Sequence, residues 1–219
     1  MNLPQRRRGG RKRLHEDLRQ SLDTLHVLVD SMLDVLRVKE IGFDCCVLTS
    51  RTLLDCLGIL GVKATHHVCH LSAWNPDYCD PDGRRRVCTI GERIDCILVP
   101  RHMVVVAHLE RPILIDPTIN QVSRPQFGVT VDEPLIHALP VDRRITGNIN
   151  AHILLSDDVG SNFEYIFVAD PPAWYESGAD WNWSAEKKRP YLHAILNGAN
   201  DRMNRAETTR PEILDPQTP

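Results

Sequence analysis

The 219 residues, 42% hydrophobic with a formal net charge of −3, allow one domain with extensions at its ends, or two small domains. No apolar run approaches the roughly 18 residues of a membrane span, and the basic start is not followed by the apolar stretch of a secretory signal, so a cytoplasmic location without membrane association is expected. Seven cysteines, an odd number in a chain that is not small, argue against a complete disulfide framework and for reduced thiols.

Residues 1–13 hold Arg6, Arg7, Arg8, Arg11, Lys12 and Arg13 and no acidic side chain, which leaves an acidic body behind a basic arm. The arm reads as disordered, with an acidic partner or nucleic acid as its candidate contact. It carries no interleaved aromatics to stack on bases. From Leu14 to Val38, Leu18, Leu22, Leu25, Val29, Met32, Leu33 and Leu36 recur at steps of three and four, the period of an amphipathic helix. A break at Gly42 precedes a second helix over Cys45–Leu60, and Gly61 suits the C′ position that ends it.

Val62–Leu71 alternates and is expected as a strand, followed by a long loop over Ser72–Arg86 that is a candidate lid. Val87–Ile90, Ile94–Val99, Met103–Ala107 and Ile113–Ile115 read as antiparallel strands. Residues 120–150 are rich in turns. A hairpin is expected from Ile153–Leu155 and Asn162–Val168, then a helix over Ala185–Arg205 and a disordered tail over 206–219. Helices followed by a run of strands make the class α+β, with helices packed on an antiparallel β-sheet across one domain, 14–205.

The chemistry concentrates in three places. Gly42-Phe43-Asp44-Cys45-Cys46 puts a cysteine in the first turn of a helix. Unpaired backbone N–H groups and the positive end of the dipole favour a thiolate there and can hold an oxyanion. His102 opens the strand His102-Met103-Val104-Val105-Val106, and Asp116 closes Ile113-Leu114-Ile115-Asp116. A turn near Leu109-Glu110-Arg111-Pro112 centres the hairpin on Leu109, which puts His102 and Asp116 opposite each other, ~5 Å apart on one face. A nucleophilic thiol needs a base, and the base needs a group that fixes its tautomer.

At these residues the chain resembles the transglutaminase-like (papain-like) superfamily of cysteine acyltransferases and hydrolases. Cys46-Val47-Leu48-Thr49-Ser50, a leucine-rich helix, then Gly61-Val62-Lys63-Ala64 is similar to its cysteine motif. His102-Met103-Val104-Val105-Val106 is similar to its histidine strand, and Ile115-Asp116-Pro117-Thr118 to its aspartate strand. Met103 stands where the family often has Trp. The likeness spans about 42–121. It implies the papain-like fold, a Cys46–His102–Asp116 triad without cofactor or metal, and a peptide, protein or amide substrate. The reaction implied is hydrolysis at a peptide or amide bond, as in a thiol protease or amidase, or transglutaminase-type acyl transfer to an amine. A non-catalytic adaptor that keeps the fold is the alternative.

Rivals exist for the thiol and for the base. Cys45 is the neighbouring thiol, but on a helix the two side chains diverge by about 100°, so one alone can face His102. His108 shares strand parity with His102 but falls near the proposed turn. His66, His67, Cys69 and His70, with Cys79, Cys88 and Cys96 downstream, are zinc-ligand types. No Cys-x-x-Cys pair is present, and on a strand His66 and His70 face away from His67 and Cys69. Asn120 and Gln121 are candidates for polarising a carbonyl. Trp174, Tyr175, Trp181 and Trp183 either pack the last helix onto the sheet or wall a substrate cleft.

Overall fold

A computed structural model describes residues 22–40, 45–94, 97–99, 101–140, 151–157, 160–167 and 174–208. The basic arm, the start of the first helix, Gly42-Phe43-Asp44, Cys96 and the tail from residue 209 lie outside these residues. Among the described residues three α-helices, α1 (Leu22–Val38), α2 (Cys46–Ile59) and α3 (Ala185–Thr208), accompany nine strands. The strands are β1 (Ala64–Trp74), β2 (Cys88–Ile90), β3 (Glu92–Ile94), β4 (Ile97–Val99), β5 (His102–His108), β6 (Pro112–Asp116), β7 (Leu135–Ala138), β8 (Ala151–Ser156) and β9 (Asn162–Phe167). The class is α+β, as expected. No described helix is long and apolar enough to cross a membrane.

The sheet runs β7-β6-β5-β1-β9-β8 and is antiparallel throughout. β1 is its centre. Its residues 64–69 pair with β5, while 71–73 pair with β2 on the same edge. Alternation then sorts side chains to two cores. Val105, Ala107, Ile113 and Ile115 meet Leu25, Leu28, Met32 and Leu36 of α1, Leu53 and Leu57 of α2, and Ile195 and Leu196 of α3. Val104, Val106 and Leu114 face the other way, onto Ile119, Val122, Phe163 and Tyr165. Each fully buried leucine contributes about 1.5–3 kcal/mol.

The end of α2 closes as its sequence indicates. Leu60 is the C-cap, Gly61 has φ +74°, and the N–H groups of Gly61 and Val62 donate to the carbonyls of Gly58 and Leu57. This is a Schellman motif, sealed by the buried Val62 and Leu57. Gly61→Ala forces a side chain into the left-handed region. Its stability is expected to fall by about 1 kcal/mol, read as a lower denaturation midpoint with an unchanged m-value.

Several boundaries differ from the expectations. β1 continues through Trp74, because β9 and β2 pair both its edges there, so the loop begins at Asn75. That loop docks on a 3-10 segment: Asn75 Nδ2 donates to the Gly128 carbonyl, and the Tyr78 ring fills the space a Cβ on Gly128 would need. Ile94–Val99 is not one strand but two, β3 and β4, folded on each other as a separate ribbon. β7 lies in the region expected to be turns. α3 runs through Thr208, so residues 206–208 are helix and not tail.

The β5–β6 register also differs. Val105 pairs with Ile115 and His108 with Pro112, which centres the hairpin on Glu110 instead of Leu109. Asp116 is therefore the diagonal neighbour of His102, on the same face but not directly opposite.

Candidate active site

Cys46 is the first residue of α2, with Cys45 as an N-cap that makes no side-chain cap bond. The start of α2 abuts the start of β5: Ser50 Oγ donates to the Met103 carbonyl at 3.1 Å, and Cys46 Sγ lies 3.8 Å from the Arg101 carbonyl. The helix tip and the first residue of that strand are thereby fixed side by side. His102 and Asp116 are both fully buried, and His102 Nε2 lies 2.7 Å from Asp116 Oδ2. The diagonal placement is bridged by the reach of the imidazole.

Three donors converge on the carboxylate. Besides His102, the Tyr165 hydroxyl donates to Oδ2 at 2.9 Å and the Thr118 N–H to Oδ1 at 3.1 Å. Burial works against the His102 imidazolium, but the charge of Asp116 and its hydrogen bond outweigh burial, with a further contribution from Cys46, and hold the pKa up at about 10. Nδ1 is buried and has no hydrogen-bond partner among the described residues. With Nε2 committed to Asp116, Nδ1 is the ring nitrogen left over, while the Cys46 thiol is directed to the Arg101 carbonyl next to His102.

The rivals are placed elsewhere. Cys45 Sγ points to Asp180 Oδ2 at 3.6 Å, and burial pushes its thiol pKa up. His108 sits at the turn end of β5, bonded through Nε2 to Thr65 Oγ1 at 2.9 Å. His66 bonds Tyr175 on the helix side of β1, whereas His67 packs on Phe167 on the other side. Among the described residues no three His, Cys, Asp or Glu side chains are grouped to hold a metal. The six described cysteines are free thiols. Asn120 and Gln121 lie on the 3-10 turn Ile119–Val122.

The aromatic segment divides its work. Tyr175 and Trp181 pack against Cys45, Cys46, Val47 and Met103, and Arg51 lies over the Trp181 ring. Trp183 stacks on Tyr191 of α3. A hollow of about 490 Å³ opens between Leu48 of α2 and Asp180, Trp183, Lys187 and Tyr191. Cys46 itself is 7% exposed at the foot of these aromatics.

Tyr165 and Thr118 escaped the sequence reading. Tyr165 had a signal: in Asn162–Phe167 the residues Phe163, Tyr165 and Phe167 alternate inward, and a tyrosine in an inward stripe requires a partner for its hydroxyl. Thr118 acts through its backbone, which leaves no side-chain signature. Compared with protein-family models, with curated proteins and with solved structures, the chain matches none.

Proposed function

We propose that this chain is a cysteine-nucleophile enzyme with a transglutaminase-like (papain-like) fold, acting at a peptide or amide bond. The observation that supports the reading is the buried His102–Asp116 bond of 2.7 Å, with a cysteine at the start of α2 held beside the first residue of the His102 strand. Cys46 attacks the carbonyl carbon as a thiolate, its proton already held by the His102 imidazolium that Asp116 stabilises. The tetrahedral oxyanion is received by the backbone N–H of Cys46 in the first turn of α2. Collapse expels the amine, which takes the proton from His102, and leaves a thioester on Cys46. Water then gives a proton to the neutral His102 as it attacks the thioester, and collapse breaks the C–S bond, releasing the acid and restoring the Cys46 thiolate beside the imidazolium; this is hydrolysis, the first reading. An amine in place of water gives transglutaminase-type transfer. Asp116 orients the ring and stabilises the imidazolium.

The low exposure of Cys46 favours one further reading, an adaptor that retains the fold without turnover. The basic arm, with an acidic partner or nucleic acid, belongs to that reading; a cytoplasmic setting is proposed for either. A thiol-reactive acyl probe separates the two. Peptide mapping after brief exposure at neutral pH is expected to find the adduct on Cys46. Labelling confined to the exposed Cys79 sinks the enzyme reading. Incorporation of a labelled amine into a glutamine-containing protein distinguishes transfer from hydrolysis.

A further inference from the structure

A fourth side chain, whose role rests on the Cys46–His102–Asp116 reading, joins the network. Tyr165 is fully buried on β9, a strand that contributes none of the three proposed groups, yet its hydroxyl ends on the carboxylate oxygen that His102 uses. β9 reaches this point through β1, where Leu71 faces Tyr165 and Cys69 faces His102. Two donors thus share Oδ2, and a carboxylate oxygen that gives part of its charge to one donor has less for the other.

We propose that Tyr165 is a positioning residue that anchors Asp116 and tempers its pull on His102, so that the imidazole gives up its proton more readily than the bare His102–Asp116 pair would allow. The titratable groups that face this network are Cys46 from α2, Cys69 from β1, His102 from β5 and Asp116 from β6. Burial, then the charge of Asp116, holds the Tyr165 hydroxyl well above the ordinary phenol range, so it remains a donor throughout the working pH range. Burial likewise keeps Cys69 a thiol. Tyr165 touches no substrate in this scheme; it acts through Asp116 alone. A tyrosine there also explains why β9 carries a hydroxyl in an otherwise apolar inward stripe of Phe163 and Phe167.

The test is the titration of the His102 ring, followed by nitrogen NMR on the full chain labelled at histidine. Tyr165→Phe removes the hydroxyl and little else. Its His102 titration is expected to move up by about 0.5–1 pH unit, and the alkaline limb of Cys46 labelling by the acyl probe to move with it. 3-Fluorotyrosine placed at position 165 is a stronger donor and is expected to move the titration down. A His102 titration that stays put, or moves the opposite way, overturns the proposal whatever happens to thermal stability. If Tyr165→Phe fails to fold, the direction of the fluorotyrosine shift decides alone. Failure of the wild-type chain to label at Cys46 counts against the enzyme reading and leaves the NMR result to judge Tyr165.

Discussion

Cys46→Ala is expected to lower acyl-probe labelling and any amide hydrolysis by about 10³-fold or more, while Cys45→Ala keeps most of both. The two thiols are adjacent in sequence but not equivalent in space. Cys46 lies beside the first residue of the His102 strand, its thiol directed to the Arg101 carbonyl, whereas Cys45 is turned to Asp180. Cys45 also makes no side-chain cap bond, so alanine there sacrifices little helix stability. Rates measured on the two variants beside wild type check the assignment. Equal losses for both, with both folded, would falsify the choice of Cys46.

Asp116→Asn has the second large effect, and it acts on rate and stability together. The carboxylate accepts from His102 and Tyr165 at one oxygen and from the Thr118 N–H at the other. An amide NH₂ in either place meets a donor. Turned toward His102, it makes Nε2 an acceptor and moves the ring proton to Nδ1, the wrong tautomer for a base facing the thiol. A loss of about 10²- to 10⁴-fold in rate is expected, with destabilisation of about 3–5 kcal/mol from the broken buried pair.

The pH dependence follows from the sign of the His102 shift. In the wild type the folded-state pKa is raised to about 10, above the unfolded value. The stabilising contribution is therefore fully present below about pH 6.5 and is lost as pH rises through about 10. Without the Asp116 charge, burial is the main remaining influence, and it lowers the pKa. In Asp116→Asn this alkaline loss should vanish and be replaced by a loss on acidification below about pH 6.5. Melting temperatures from pH 5 to 10 on both proteins test this, and parallel profiles would count against the buried ion pair.

Much of this was legible from local pattern, and the exceptions have physical causes. Leucines three and four apart in α1, and Gly61 after α2, are read within a single turn of chain, and the structure follows them. The strands around His102 and Asp116 were visible because short apolar runs rich in Val and Ile, flanked by Pro100, Pro112 and Pro117, have few other uses. The register of that hairpin differs by two residues from the one the sequence suggests. A turn of three residues over 109–111 and one centred on Leu109 fit the same letters, and the choice is made by packing of β6 against β7 and the helices. The split of Ile94–Val99 into two strands, and the extension of β1 to Trp74, likewise depend on which edges find partners.

By itself, then, the sequence determined which residue types stand at helix starts and strand ends: a thiol at 46, an imidazole at 102, a carboxylate at 116. Periodicity is a property of neighbours in the chain, so no folded context is needed to read it. Only the tertiary structure decided that Asp116 reaches His102 diagonally, that Cys45 turns to Asp180, and that Tyr165, 49 residues beyond Asp116, closes the network. Those contacts join segments whose distance in sequence carries no signal, and they form because β1 pairs with β5 on one edge and β9 on the other.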